Sequence, residues 1–238
     1  MIVPRRVLIV PNPRKPDAKR LAVEVRRLVE RAGISVAGGA AGADLLIIVG
    51  GDGTLLYNKG MYSLPIFAIG SKRSFICQAT RENWRAKLGK VLRGFTVERR
   101  MMLACIVRGK AVEHALNEVV IRSRDHRVID IHVRIGGRQS EFYADGILFS
   151  TPTGSSAYCY SCGGRELPRH ARRYEIVAIA PYRRRFKPVV VPDSAACAAW
   201  TMSRSADLVF DGQFIHHMAP GTRMAIRRSK RTVELVRA

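Results

Sequence analysis

Leu45-Leu46-Ile47-Ile48-Val49 is an unbroken apolar run, bounded by Asp44 on one side and by Gly50-Gly51-Asp52-Gly53-Thr54 on the other. It is far shorter than the roughly 18 apolar residues that a bilayer crossing requires. Its composition reads instead as a strand buried on both faces, as strands of a parallel sheet are. Leu55-Leu56-Tyr57 beyond the glycines reads as the start of a helix. Strand, glycine turn and helix is the repeating unit of an open α/β layer.

The neighbouring residues repeat that unit. Val7 to Val10 is a short strand closed by Pro11-Asn12-Pro13, and Leu21, Val25, Leu28, Val29 and Ala32 then share one helical face, with Gly33 at the C-terminal cap. Pro65 to Ile69 is another strand, and Thr80 is expected to cap a helix running through Trp84, Leu88 and Leu92. Residues 1–95 are therefore expected to form an α/β domain. After Gly94 the spacing changes to alternation, clearest in Ile129 to Ile135 before a Gly136-Gly137 hairpin turn. Residues 96–238 are expected to be mostly antiparallel β, ending in a hairpin around Ser229-Lys230.

With 238 residues, 47% of them hydrophobic, the chain can bury one large core or two smaller ones. Lys and Arg number 41 against 19 Asp and Glu, a formal charge of +22 that attracts polyanions. The five cysteines form an odd set without framework spacing, which fits reduced thiols. No apolar signal segment opens the sequence, so a cytoplasmic location without a membrane partner is expected.

Three segments carry chemistry. In Gly50-Gly51-Asp52-Gly53-Thr54, backbone N–H groups at the turn can hold phosphate oxygens. The segment matches neither the P-loop nor the dinucleotide fingerprint. An aspartate there would repel phosphate unless it holds a metal or takes a proton; the other reading is a helix N-cap. Asn117-Glu118 interrupts an apolar strand, and buried polar groups require a partner. Asp145-Gly146 opens a strand that feeds Ser150-Thr151-Pro152-Thr153-Gly154-Ser155-Ser156-Ala157-Tyr158, a hydroxyl-rich turn and a small-residue helix ending near Gly163-Gly164. Cys159 and Cys162 have the spacing of a zinc half-site, but no second Cys/His pair stands at a matching distance. His216-His217 reads as an exposed hairpin tip.

Taken with Pro181, Phe186, Pro188, Val191-Pro192-Asp193-Ser194 and Phe210-Asp211-Gly212-Gln213, these segments resemble the NAD kinase family. The resemblance implies a Rossmann-like N-terminal domain, a β-sandwich-like C-terminal domain, and phosphorylation of the adenosine-ribose 2′-hydroxyl of NAD. It implies Asp52 as proton acceptor, Gly53 in the diphosphate-holding turn, and Asn117 and Glu118 on polar groups of NAD. Asp145 would meet the nicotinamide-side ribose or amide, and Ser156, Ala157, Tyr158 and Ser161 would line the nucleoside pocket. Ala180 and Gln213 fall at further contact positions. ATP or polyphosphate would be the donor, with Mg²⁺ or a similar ion shielding its phosphates and no fixed protein metal site; a homo-oligomer, dimer or tetramer, is expected.

The sequence departs from the family pattern in two places that concern the site. The usual Gly-x-Asn-x-Gly-x-Leu-Gly-Phe after the Pro65 strand is replaced by Ala68-Ile69-Gly70-Ser71-Lys72-Arg73-Ser74-Phe75, which brings Lys72 and Arg73 forward as donor-phosphate contacts. Arg165 stands after Gly163-Gly164 where proline is usual. The alternative class is a non-catalytic nucleotide-sensing or nucleic-acid-binding module on the same fold, which the charge of +22 favours. Retention of Asp52, Asn117, Glu118 and Asp145 favours the enzyme.

Overall fold

The computed structural model describes residues 1–237 and divides the chain into two units. One comprises Met1–Arg99 and the chain end from Val233, and the other Arg100–Thr232. The first unit begins with β1 (Arg6–Pro11), α1 (Pro16–Arg31), β2 (Ser35–Ala37) and β3 (Leu45–Val49), followed by α2 (Asp52–Asn58), β4 (Ile66–Gly70), β5 (Ala79–Thr80) and α3 (Trp84–Arg93). Strands β2, β1, β3 and β4 lie in that order and pair in parallel. No side chain of β3 is more than 1% exposed, which is what its uninterrupted apolar run requires of a central parallel strand. Val25 and Val29 of α1 and Trp84, Leu88 and Val91 of α3 share one core with Leu45, Ile47 and Val49. Gly33, at a φ of +74°, ends α1 in the left-handed conformation that glycine adopts without strain.

β6 (Thr96–Val107) leads into the second unit, which holds β7 (Lys110–Ala115), β8 (Glu118–Ser123), β9 (Ile129–Ile135), β10 (Arg138–Ala144) and β11 (Gly146–Ser150). Next come the short α4 (Tyr158–Ser161), β12 (Arg173–Ile179), β13 (Val189–Pro192), β14 (Cys197–Trp200), β15 (Ala206–Phe210), β16 (Phe214–Met218) and β17 (Met224–Arg237). The antiparallel sheet β13-β12-β11-β8-β15-β16 is one layer. Ile147 and Phe149 of β11, Val119 and Ile121 of β8 and Leu208 and Phe210 of β15 share a core with Ile131 and Val133 of β9 and Phe142 of β10. Alternate residues Val120, Leu148 and Val177 point to the sheet's other face, where Cys159 of α4 covers them. The expected α/β domain followed by a β-sandwich-like domain is the architecture found. Among the described residues no helix is long and apolar enough to cross a membrane.

Several local expectations are corrected. Thr80 does not cap α3. It pairs with Gly70 in β5, and its N–H donates to Oδ1 of Asn83, the residue at the cap position, over 2.8 Å. Ser229-Lys230 makes no hairpin, because Met224–Arg237 is one strand. Ser229 faces inward there, with its hydroxyl 2.9 Å from Nδ1 of His114 and accepting the Arg231 N–H over 2.8 Å. His216 and His217 lie along β16 and not at a tip; His217 meets Asp207 across the strand pair at 2.7 Å.

The division also differs from a cut between residues 95 and 96, because the last strand returns to the first unit. Leu235 pairs in parallel with Ile66, and Val236 joins the core around Trp84. Leu235→Ala is expected to lower stability by about 2–5 kcal/mol, the range for truncating a buried leucine. Denaturant unfolding of full-length protein checks this; a change near zero would place Leu235 outside the core.

Candidate active site

In the first unit, β3 ends at Gly50-Gly51 and α2 begins at Asp52. A Cβ on Gly50 would lie 2.2 Å from Oγ1 of Thr54, and Gly51 has a φ of +147°, so both positions exclude ordinary side chains. Thr54 is buried and locks the turn, its Oγ1 accepting from Nδ2 of Asn12 over 2.8 Å. Asp52 does not act as an N-cap: Gly51 holds that position, and among the described residues no side chain caps α2. Instead the Asp52 carboxylate turns to the segment after β4. Oδ2 accepts the Phe75 N–H at 2.6 Å, and Oδ1 accepts those of Ile76 and Cys77 at 3.1 and 3.2 Å. Burial pushes the Cys77 thiol above its ordinary range, and the neighbouring Asp52 charge adds to the shift. Gly53, Lys72 and Arg73 are exposed, and the Lys72 ammonium is 3.9 Å from Glu82.

In the second unit, a carboxylate again gathers backbone donors. Asp211, only 3% exposed, accepts the N–H groups of Leu116, Asn117 and Glu118 at 2.9, 2.7 and 3.1 Å. Its own N–H returns to the Glu118 carbonyl at 3.0 Å. Thr151 closes the other side: its hydroxyl donates to the Leu116 carbonyl and its N–H to that of Asn117, the latter over 2.8 Å. The same hydroxyl accepts from the N–H groups of Thr153 and Gly154 at 3.0 and 3.2 Å. A Cβ on Gly154 would fall 2.3 Å from the Asn117 carbonyl oxygen, so the Thr-Pro-Thr-Gly turn needs its glycine to lie this close.

The side chains fixed in this way are incompletely satisfied. Asn117 and Glu118 are each 7% exposed, yet among the described residues Oδ1 of Asn117 and Oε2 of Glu118 have no hydrogen-bond partner. Buried acceptors without a protein partner are uncommon in native proteins and mark positions where a ligand or water can bind. Burial pushes the Glu118 carboxyl up to about 8, with the Asp211 charge contributing in the same direction. Glu118 is therefore protonated at neutral pH and able to donate a hydrogen bond.

Ser156, Ala157 and Tyr158 are half-buried and Ser161 is exposed, all at or beside α4. Burial raises the Tyr158 hydroxyl, with Cys162 and Asp145 adding and Arg122 opposing, so Tyr158 lies within electrostatic reach of Asp145. Arg122, a cation in this cluster, carried no motif in the sequence. Asp145 and Ala180 flank paired strand positions Gly146 and Ile179, whereas Glu118 pairs with Ser150 at the opposite end of the same strands. Ala180 has a φ of +47°, a strained conformation for a residue with a Cβ. Gln213 is exposed two residues beyond Asp211, its Nε2 3.4 Å from the Asp211 carbonyl. The structure thus joins Asn117, Glu118 and the 151–154 turn closely, and places Asp145 and Ala180 at the far ends of the strands. Asp211 was legible only as part of a motif; its role depends on a contact across 94 residues of sequence.

Arg165 has a physical account. Its backbone N–H, which proline lacks, donates to Oε2 of the fully buried Glu175 over 2.9 Å. Cys159 Sγ also lies 3.5 Å from that oxygen, so Glu175 ties both ends of the α4 segment to β12.

The raised Glu118 carboxyl has a measurable consequence. Folded protein keeps this proton to about pH 8 while the unfolded chain releases it near 4.5, so folding binds a proton between those values. The resulting stability is fully present below pH 4.5 and is lost as pH rises through 8. Glu118→Gln, which cannot ionise, is expected to flatten the decline in unfolding free energy across this window. Urea titrations at pH 5, 7 and 9 check it, and parallel pH profiles for the two proteins would refute the assignment.

The family profile described as ATP-NAD kinase C-terminal domain matches residues 116–238, beginning at the strand end that Asp211 organises. An NAD kinase of Methanosarcina mazei is 31% identical over 82% of this chain and 70% of its own length. One from Polaromonas naphthalenivorans is 34% identical over 83% and 72%. The crystal structure of an NAD kinase from Archaeoglobus fulgidus in complex with ATP superposes with a TM-score of 0.83 at 26% identity, covering 97% of this chain and 92% of that one. A yeast NADH kinase complexed with NADH has the same fold, with a TM-score of 0.86 at 19% identity, covering 100% of this chain and 84% of that one. With the profile matched over half its length and relatives above 30% identity across most of it, the chain belongs to the NAD kinase family.

Proposed function

We propose that the chain transfers the terminal phosphoryl group of ATP to the 2′-hydroxyl of the adenosine ribose of NAD. The observation that carries this reading is Asp52: a carboxylate in a Gly-Gly-Asp-Gly turn that leaves its own helix uncapped and is oriented by three N–H groups of another segment. In the proposed reaction Asp52 takes the 2′-hydroxyl proton and the ribose oxygen bonds to the γ-phosphorus. The bond from that phosphorus to the bridging oxygen breaks, so ADP leaves and NADP forms. In such transfers the protein chiefly positions groups and stabilises charge.

The second unit supplies recognition. Asn117 Oδ1 would accept from NAD, and Glu118 would donate its proton or accept through its orphaned oxygen. Ser156, Ala157, Tyr158 and Ser161 would line the nucleoside, while Asp145, Ala180 and Gln213 take their roles from family position. Gly53 lies in the diphosphate-holding turn, and exposed Lys72 and Arg73 would meet donor phosphates. The ATP complex of the Archaeoglobus relative supports ATP as donor. Among the described residues no three His, Cys, Asp or Glu side chains stand together as metal ligands. A divalent ion would enter on the donor's phosphate oxygens, as Mg²⁺ commonly does, and would neutralise charge there.

Asp52→Asn is expected to lower kcat by roughly a hundredfold or more while leaving NAD affinity nearly unchanged, since the amide keeps the shape and loses the proton acceptor. NADP formation from NAD and ATP is the assay, and normal turnover would remove Asp52 from the chemistry. Asn117→Ala is expected to act differently, weakening NAD binding by about tenfold, the scale of one hydrogen bond. Calorimetry showing unchanged affinity in a folded variant would return Asn117 to a structural role.

A further inference from the structure

We infer that the turn Ser71–Cys77, with which this chain replaces the usual family segment, is a positioning device that leaves Oδ2 of Asp52 as the atom able to take the substrate proton, with Ser74 and Cys77 as its positioning residues. This rests on the reading of Asp52 as proton acceptor. An ionised carboxylate offers about four lone-pair directions. Ile76 and Cys77 N–H groups occupy both directions on Oδ1, and the Phe75 N–H occupies one on Oδ2. The direction left over belongs to Oδ2.

The turn is fastened so that these N–H groups cannot rotate away. The Ser71 N–H donates to Oγ of Ser74 over 3.1 Å, and the Ser74 N–H returns to the Ser71 carbonyl over 3.0 Å. The Arg73 N–H donates to the Ser71 hydroxyl over 3.2 Å. At the exit, Gln78 Oε1 accepts the Ala68 N–H of β4 over 2.7 Å. Ser74 and Cys77 fold down onto the end of β4, where a Cβ on Gly70 would fall 2.3 Å from Ser74 Oγ and 2.8 Å from Cys77 Sγ. From that packed residue the backbone N–H of Cys77 reaches Oδ1 of Asp52 over 3.2 Å. Ser71 and Ser74 thus close the turn whose next three N–H groups, those of Phe75, Ile76 and Cys77, end on the reacting group.

Such a turn matters for rate more than for binding. A displacement of about 1 Å at a reacting group can cost up to a hundredfold in rate, and nothing in the turn's side-chain network requires NAD to be held. Loosening the turn should therefore lower kcat and leave KM for NAD alone.

The experiment measures kcat and KM for NAD at saturating ATP for Ser74→Ala, Cys77→Ala and Cys77→Ser, each alone and combined with Asp52→Asn. Thermal melting selects folded variants. Ser74→Ala and Cys77→Ala are expected to lower kcat by about three- to tenfold with KM within about twofold of the parent. Cys77→Ser should recover most of the loss, because it restores most of the side chain that packs over Gly70. In the Asp52→Asn background the same substitutions should add nothing further, since their effect runs through the missing carboxylate. Equal losses in both backgrounds would overturn the inference, as would losses confined to KM or full activity of both alanine variants while Asp52→Asn is impaired. Undiminished activity of Asp52→Asn itself would instead overturn the proton-acceptor reading, and this inference with it.

Discussion

The second unit depends on one buried carboxylate. Asp211 gathers three consecutive N–H groups at the end of β8 and leaves the Asn117 and Glu118 side chains in fixed places. An ionised acceptor binding N–H donors forms stronger hydrogen bonds than neutral pairs do. It also makes the local field negative, which reinforces burial in keeping Glu118 protonated. Around this anchor the Thr151–Gly154 turn closes, with a glycine at the one position where a side chain would strike the backbone.

The first unit uses the same chemistry for another purpose. Asp52 also holds three consecutive N–H groups, but it is half-buried where Asp211 is fully enclosed. A carboxylate sealed from solvent serves to organise backbone and to set the local field. One held at a partly open position can organise backbone and still accept a proton. Equivalent hydrogen bonding thus gives a structural aspartate in one unit and a candidate catalytic aspartate in the other, and exposure is what separates them.

Departures from the family pattern become intelligible through the groups they touch. Arg165 contributes a backbone N–H that buried Glu175 accepts, so the missing proline is matched by an acceptor ten residues away. The Ser71–Cys77 turn lacks the family's glycines and asparagine, yet it closes through serine hydroxyls and still presents its N–H groups to Asp52. Neither change disturbs the sheets, because both lie in connections between strands, where insertions and substitutions are tolerated best.

Features written in near neighbours were legible from the sequence alone. The apolar run Leu45–Val49, the helical face through Val25 and Val29 and the alternation of Ile129–Ile135 each follow a period set by backbone geometry, and each became the expected element. The Gly-Gly-Asp-Gly turn and the polar pair Asn117-Glu118 were visible because they interrupt those periods. Tertiary structure decided what those polar groups do. Whether Asp52 caps its helix or holds residues 75–77, and whether Asp211 is an ordinary turn residue or the anchor of residues 116–118, depends on contacts between segments far apart in sequence. The chain end follows the same rule: Ser229-Lys230 has the composition of a turn, but burial of Ser229 against His114 and of Leu235 beside Ile66 holds β17 in one extended strand. Periodicity records which face of an element is apolar; it carries no record of which distant donor or acceptor will meet a given side chain.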